Sequence, residues 1–179
     1  MSTAASRVAL TEELLLFSVE GPYEVLCQEE RGGRIIQAEA GSELFERVDS
    51  LGRAKGCYVF GIRSGGGTLP WYVGKTAKGF RVECFQPHKL NKYNEAIAKA
   101  GFGTPVLFFV VHPASRGRPN RPAIAELEGF LIQAAYITNP QLLNRTRLEG
   151  RGWAIQGFGN GRGRPPKSAV KLARTLGIG

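Results

Sequence analysis

Beyond residue 50 the chain has no aspartate and only five glutamates: Glu83, Glu95, Glu126, Glu128 and Glu149. Two-metal nucleases and polymerases gather several carboxylates around ions roughly 4 Å apart, and this stretch can hardly supply them. Metal-assisted phosphate chemistry here would rest on one ion and one carboxylate. Histidine is scarcer still: His88 and His112 are the two in the chain, which excludes a His-rich metal site. Cys27, Cys57 and Cys84 are odd in number and lack any Cys-x-x-Cys or Cys/His ligand spacing. They read as small buried thiols in a reducing compartment. No apolar run approaches the roughly 18 residues of a membrane span. Met1 to Leu10 lacks a basic stretch followed by a long apolar one, so no secretory signal is expected. The expected location is cytoplasmic, nucleoid-associated if the source is bacterial.

What the chain has in excess is basic charge, unevenly spread. Its 179 residues include 24 Lys+Arg and 15 Asp+Glu, a formal +9, and 42% are hydrophobic, enough for a packed core. Residues 1–50 carry four basic and ten acidic groups, a net −6. Residues 51–144 carry twelve basic and four acidic groups, a net +8, and residues 145–179 carry eight and one, a net +7. Blocks this basic point to a polyanion, nucleic acid first and an anionic membrane surface second.

Residues 11–17 read as a short helix capped by Thr11, residues 23–37 as a hairpin across Gly32-Gly33, and Ser42 to Leu51 as a helix. Together they make an acidic extension over residues 1–52 that packs on the next domain. From Gly56 the pattern changes. Cys57 to Ile62 and Trp71 to Val73 are strands by composition, joined by a Gly-rich loop with Pro70 at the start of the second. Ala77 to Phe85 and Lys89 to Ala100 read as helices, Pro105 to Val111 as a strand and Ala123 to Ile137 as a long helix. The order predicts a small α+β domain over residues 53–148, a three-stranded antiparallel sheet flanked by helices. Residues 149–179 form a basic tail rich in Gly, Arg and Pro.

The last helix ranks its two glutamates. With Ile124 at the centre of the apolar face, Glu128 falls roughly 40° away and Glu126 roughly 200° away at the helical period. Glu126 is therefore a solvated charge, and Glu128 sits on the edge of the apolar face. An inward carboxylate needs a partner, because a buried unpaired charge costs several kcal/mol. A metal ion, an arginine or backbone donors would each serve.

Gly56-Cys57-Tyr58, a hairpin, Tyr72-Val73-Gly74-Lys75-Thr76, Arg81, the inward Glu128 and Leu142-Leu143-Asn144 follow one another along half the chain. This ordered set resembles the GIY-YIG nuclease superfamily, whose two name motifs read here Gly-Cys-Tyr and Tyr-Val-Gly. The resemblance implies hydrolysis of phosphodiester bonds in DNA with one divalent ion, Mg²⁺ or Mn²⁺. It implies Glu128 as the protein ligand to that ion, polarising the scissile phosphate. It places Tyr58 as the acceptor of a proton from the attacking water, Tyr72 on the water or the leaving side, and Arg81 on the extra charge at phosphorus. Asn144 would pin the catalytic helix or the phosphate, and Lys75, His88 and Lys89 would contact substrate. A phenol with a pKa near 10 is a poor base at neutral pH, so cations such as Lys75 and Arg81 must lower it or hold the proton elsewhere.

Without the resemblance, Tyr58 and Tyr72 suit core packing in strands rich in Val, Phe and Trp. Lys75 and Arg81 suit a surface, Asn144 a turn, and Glu128 a buried pair with arginine. Four residues after Arg81, where many family members carry His or Tyr, stands Phe85. The alternative function is therefore a DNA- or RNA-binding protein on the same fold with weak or lost cleavage.

The tail carries Arg162-Gly163-Arg164-Pro165-Pro166-Lys167, which resembles an AT-hook, and Arg116-Gly117-Arg118-Pro119 repeats its core. Gly and Pro keep such a backbone slim while the arginines enter the negative potential of an A·T minor groove. Arg162, Arg164 and Lys167 are thus expected DNA contacts. The plainer reading is a basic segment that adds non-specific phosphate affinity. The expected partner is DNA, with RNA left open and no membrane.

Overall fold

The computed structural model describes residues 15–113 and 118–144. Its elements run β1 (Ser18–Glu24), β2 (Gln28–Glu30), β3 (Gly33–Ile35), α1 (Glu39–Arg47), α2 (Asp49–Gly52), β4 (Gly56–Ser64), β5 (Gly67–Thr76), α3 (Phe80–Glu83), α4 (Pro87–Ala100), β6 (Thr104–Val111) and α5 (Arg121–Thr138). The class is α+β as expected. No helix among the described residues is long and apolar enough to cross a membrane.

The main sheet corrects the expectation of three strands. Its order is β1-β6-β4-β5, with the three neighbouring pairs antiparallel. The fourth strand comes from Ser18–Glu24, within the segment read as an extension. Gly21-Pro22 looks like a turn in sequence, but here it forms a bulge between Glu20 and Tyr23. Gly21 has φ 108°, and a Cβ there would sit 2.7 Å from the Leu107 carbonyl oxygen, so only glycine lets β1 lie this close to β6. Residues 15–17 lead into β1 without forming helix, and residues 11–14 lie outside the described residues. The expected hairpin is present in shorter form as β2 and β3, turning at Arg31-Gly32.

The alternation of β4 and β5 sorts their side chains between two layers. On one face Tyr58, Phe60, Tyr72, Leu107 and Phe109 pack with Phe45 of α1, Phe80 of α3 and Tyr93 of α4. Phe60 stacks on Tyr93 with ring centroids 4.1 Å apart. Burying each such ring contributes about 1.5–3 kcal/mol. On the other face Val59 and Val73 meet Leu131, Ile132, Ala135 and Tyr136 of α5.

β5 is an edge strand, and the chain leaving α5 covers its free edge. The Asn139 side-chain amide donates to the Pro70 carbonyl at 2.8 Å, and the Leu143 N–H donates to the Trp71 carbonyl at 2.9 Å. Asn144 accepts from the Val73 N–H at 3.0 Å and donates to the Val73 carbonyl. An edge that would otherwise present bare backbone donors and acceptors is thereby closed. At the other end of α5, Asn120 caps the helix through a 3.0 Å bond from the Ala123 N–H, with Pro122 in the first turn. The Asn120 N–H in turn donates to His112 Nε2 at 3.1 Å.

Two outcomes follow. Asn139→Ala should cost about 1–3 kcal/mol in urea unfolding, because Asn139 is buried and its loss orphans the Pro70 carbonyl. His112 is also buried, and burial, helped by Lys55, holds its pKa below the ordinary imidazole value. The unfolded chain then binds the proton more readily, so stability is full above about pH 6.5 and falls as pH drops through that value. Unfolding midpoints taken from about pH 5 to 8 should show this slope, and His112→Gln should flatten it.

Candidate functional site

Glu128 and Lys75 meet from opposite elements. Lys75 shares with Cys57 and Val73 the β5–β4 face that α5 covers, and Cys57 Sγ donates to the Ile124 carbonyl at 3.3 Å. Four residues along α5 from Ile124, the Glu128 side chain is 13% exposed, and Lys75 Nζ donates to its Oε2 at 2.5 Å. Glu126 is exposed, as the helical period requires. The inward carboxylate has a lysine among its partners.

On the other face of the strand lies a second lysine–glutamate pair. Lys89, in the first turn of α4, is 9% exposed. Its Nζ donates to Tyr72 Oη at 2.7 Å, lies 3.4 Å from Glu83 Oε1 of α3, and stands 5.1 Å from the centre of the Tyr72 ring. Burial works against the ammonium, but the Tyr72 hydroxyl and the Glu83 carboxylate outweigh it and raise its pKa. One residue of each pair, Lys75 or Glu83, reaches a cleft of about 280 Å³ beside the C-terminal end of β5. Lys75, Thr76, Ala77, Lys78, Glu83, Arg121 and Ile124 line it. Three cations line its walls, so it suits an anion such as phosphate.

The remaining expected site residues are placed differently. Tyr58 is wholly buried against Gly74, where any Cβ would collide with its ring, and its centroid is 6.3 Å from that of Tyr72. Its hydroxyl has no hydrogen-bond partner among the described residues. Burial, with Tyr93 beside it, pushes its pKa far above the ordinary phenol value. Arg81 turns towards the acidic segment. Its guanidinium donates to the Phe45 carbonyl at 2.9 Å and to Asp49, the chain's one aspartate, at 2.8 Å, and lies over the Phe45 ring. Phe85 joins the same contact, edge-on to Phe45 and pressed against Gly41 of α1. Asn144 pins β5, as described above. His88 is exposed beside Lys89 on α4. Arg162, Arg164 and Lys167 lie outside the described residues, as do Arg116 and Gly117.

Family models, curated proteins and solved structures offered no match to this chain.

The donor chemistry can be tested against the implied ion. Among the described residues no group of three or more His, Cys, Asp or Glu gathers to form a cage. Mg²⁺ is commonly held by one or two carboxylates while it keeps several waters, and the inward Glu128 carboxylate, bonded to the cleft residue Lys75, fits that habit. Glu83 was missed as a site residue. The scarcity of acids beyond residue 50 that marks Glu128 marks Glu83 equally, and its spacing of six from Lys89 bridges two helices. Tyr58→Phe removes a hydroxyl that is buried without a partner, so the melting midpoint should hold or rise, within about 1 kcal/mol of stability. A differential scanning measurement checks it.

Proposed function

We propose that the chain hydrolyses phosphodiester bonds in DNA with one divalent ion, Mg²⁺ or Mn²⁺, held by Glu128. The observation that carries this reading is the inward Glu128 carboxylate, paired with Lys75 beside a cleft that Lys75, Lys78 and Arg121 also line. The ion, when bound, supplies Lewis-acid polarisation of a phosphate oxygen. The chain's own residues do the rest. With the Glu128 carboxylate shared between Lys75 and that ion, Lys75 would offer its ammonium to the phosphate as a point charge. Lys78 and Arg121 hold the flanking backbone, and the Asn144 bonds to Val73 keep the strand that carries Lys75 in register with α5. The Gly-Cys-Tyr and Tyr-Val-Gly resemblance and the net +15 beyond residue 50 point the same way.

A second reading has its own support. The sealed Tyr58 hydroxyl, the commitment of Arg81 to Asp49 and the packing of Phe85 suit a protein that binds nucleic acid and does not cut it. Incubating supercoiled plasmid with Mg²⁺ separates the two. Wild type should nick, and Glu128→Ala should lose about 100-fold or more in rate while binding DNA within about threefold. Binding without nicking by the wild type, in Mg²⁺ and in Mn²⁺, would establish the second reading, and competition with RNA of equal length then identifies the nucleic acid.

A further inference from the structure

The described lysines and arginines beyond residue 50 divide into two groups. Six have an acidic partner: Arg63 with Glu24, Lys75 with Glu128, Arg81 with Asp49, Lys89 with Glu83, and Lys92 and Lys99 with Glu95. The other five, Arg53, Lys55, Lys78, Arg118 and Arg121, form no ion pair among the described residues. All five stand at one end of the main sheet. Gly56 of β4 pairs there with Thr76 of β5 on one side and Val111 of β6 on the other. Lys55 carries the ladder one step further, its carbonyl accepting from the His112 N–H at 2.8 Å. On the β5 side, Lys78 precedes Gly79, which packs against Gly52 and Arg53. On the β6 side, the 3.1 Å bond from the Asn120 N–H to His112 brings up Arg121 and, two residues before Asn120, Arg118. The acids at this end, Glu83 and Glu128, each hold a lysine, and Glu126 lies on the outward face of α5.

Like charges kept together without counter-charges repel one another, and a polyanion relieves the cost. Neighbouring strands lie about 4.8 Å apart, so β5 and β6 set the two flanks about 10 Å from each other, the scale of one groove of B-DNA. Proteins that hold single strands join cations to aromatic rings on which bases stack. Here the one ring at the sheet end, Phe17, is packed edge-on against His112. The exposed aromatics among the described residues stand elsewhere: Phe102 precedes β6 at the opposite end of the sheet, and Phe130 points outward from α5. A surface with cations and no stacking platform reads phosphates and not bases.

We propose that this end of the sheet is the docking surface for a DNA duplex, whose sugar–phosphate backbone Arg53, Lys55 and Arg118 hold together with Lys78 and Arg121. The inference takes the identity of the polyanion from the proposed function and adds to it three residues and a substrate class, duplex held without regard to sequence. Arg53, Lys55 and Arg118 serve binding, so their effect is on affinity and its salt dependence.

The test is binding of a short DNA duplex by the full chain with divalent ions chelated, followed by fluorescence anisotropy from about 50 to about 200 mM salt. Arg53→Gln, Lys55→Gln and Arg118→Gln should each take about 0.9 off the magnitude of the slope of log K against log salt, and the triple variant about 2.7. Arg63→Gln and Lys92→Gln remove the same charge from paired residues elsewhere and should stay within about 0.3 of the wild-type slope. A single strand of equal length should bind the wild type at least about tenfold more weakly than the duplex. An unchanged slope in the triple variant, an equal loss in the two controls, or a single strand bound as tightly as the duplex would each overturn the inference. Should Lys55→Gln lower the melting midpoint, the exposed Arg53→Gln and Arg118→Gln decide the matter by themselves. Because no ion is present, the outcome is separate from cutting. A chain that shows these slopes and never nicks plasmid supports this surface and brings down the hydrolase reading. A chain that nicks while the triple variant keeps the wild-type slope brings down this inference alone.

Discussion

The meeting of Glu128 with Lys75 depends on how the free edge of β5 is closed. A strand edge must pair, and here the partner is the short segment after α5, joined through Asn139, Leu143 and Asn144. Those bonds position the C-terminal end of α5, and Asn120 and His112 hold its start. With both ends anchored, the helix lies along the sheet with Ile132 and Ala135 buried against Val73. Glu128, one turn before Ile132, is then carried to Lys75. A carboxylate at this depth depends on its ammonium, and the ammonium reaches it because β5 is held in register.

The same strand divides its chemistry between two layers. Lys75 faces α5, Tyr72 faces α4, and each layer holds one lysine against one glutamate. A partly buried ion pair is weak support for stability, since desolvation offsets much of the attraction. Each pair lends one residue, Lys75 or Glu83, to the wall of the same cleft, and each also ties two elements together. The acidic segment makes a third, more exposed pair through Asp49 and Arg81. With Phe45, Phe85 and Gly41 it docks α1 and α2 on the domain. Asn94 does for Ile36 what Asn144 does for Val73, binding both its N–H and its carbonyl. A side-chain amide standing in for a missing strand thus occurs twice among the described residues.

Much of this was legible in the sequence, for identifiable reasons. The β4–β5 hairpin, α4, β6 and α5 announce themselves through continuous apolar runs or a clear helical period, and that period alone turned Glu128 inward. β1 was hidden because its Gly21-Pro22 bulge looks like a turn and its outer face is exposed, so it is a strand only by pairing with distant β6. The partner of Glu128 could not be named either. Lys75 reads as a surface residue until the register puts it on the α5 face. Lys89 was expected among the substrate contacts, and nothing local in Pro87-His88-Lys89 signals its burial beneath Tyr72. Arg81 has its partner 32 residues earlier, and a pattern confined to neighbouring residues cannot see it. Local order was readable, and long-range electrostatic choice was not.

The closure of β5 also has a direction in time. The two strands of the β4–β5 hairpin are neighbours in the chain, so they can pair as soon as they leave the ribosome. Asn144 lies 71 residues beyond Val73, and contacts that distant form late. For that interval a nascent chain carries a sheet with an open edge, the state most prone to join another chain. It also carries Lys75 without Glu128. A chain still being made is therefore exposed to aggregation until its last asparagines emerge, and the asparagines that seal the sheet also secure the meeting of Lys75 with Glu128.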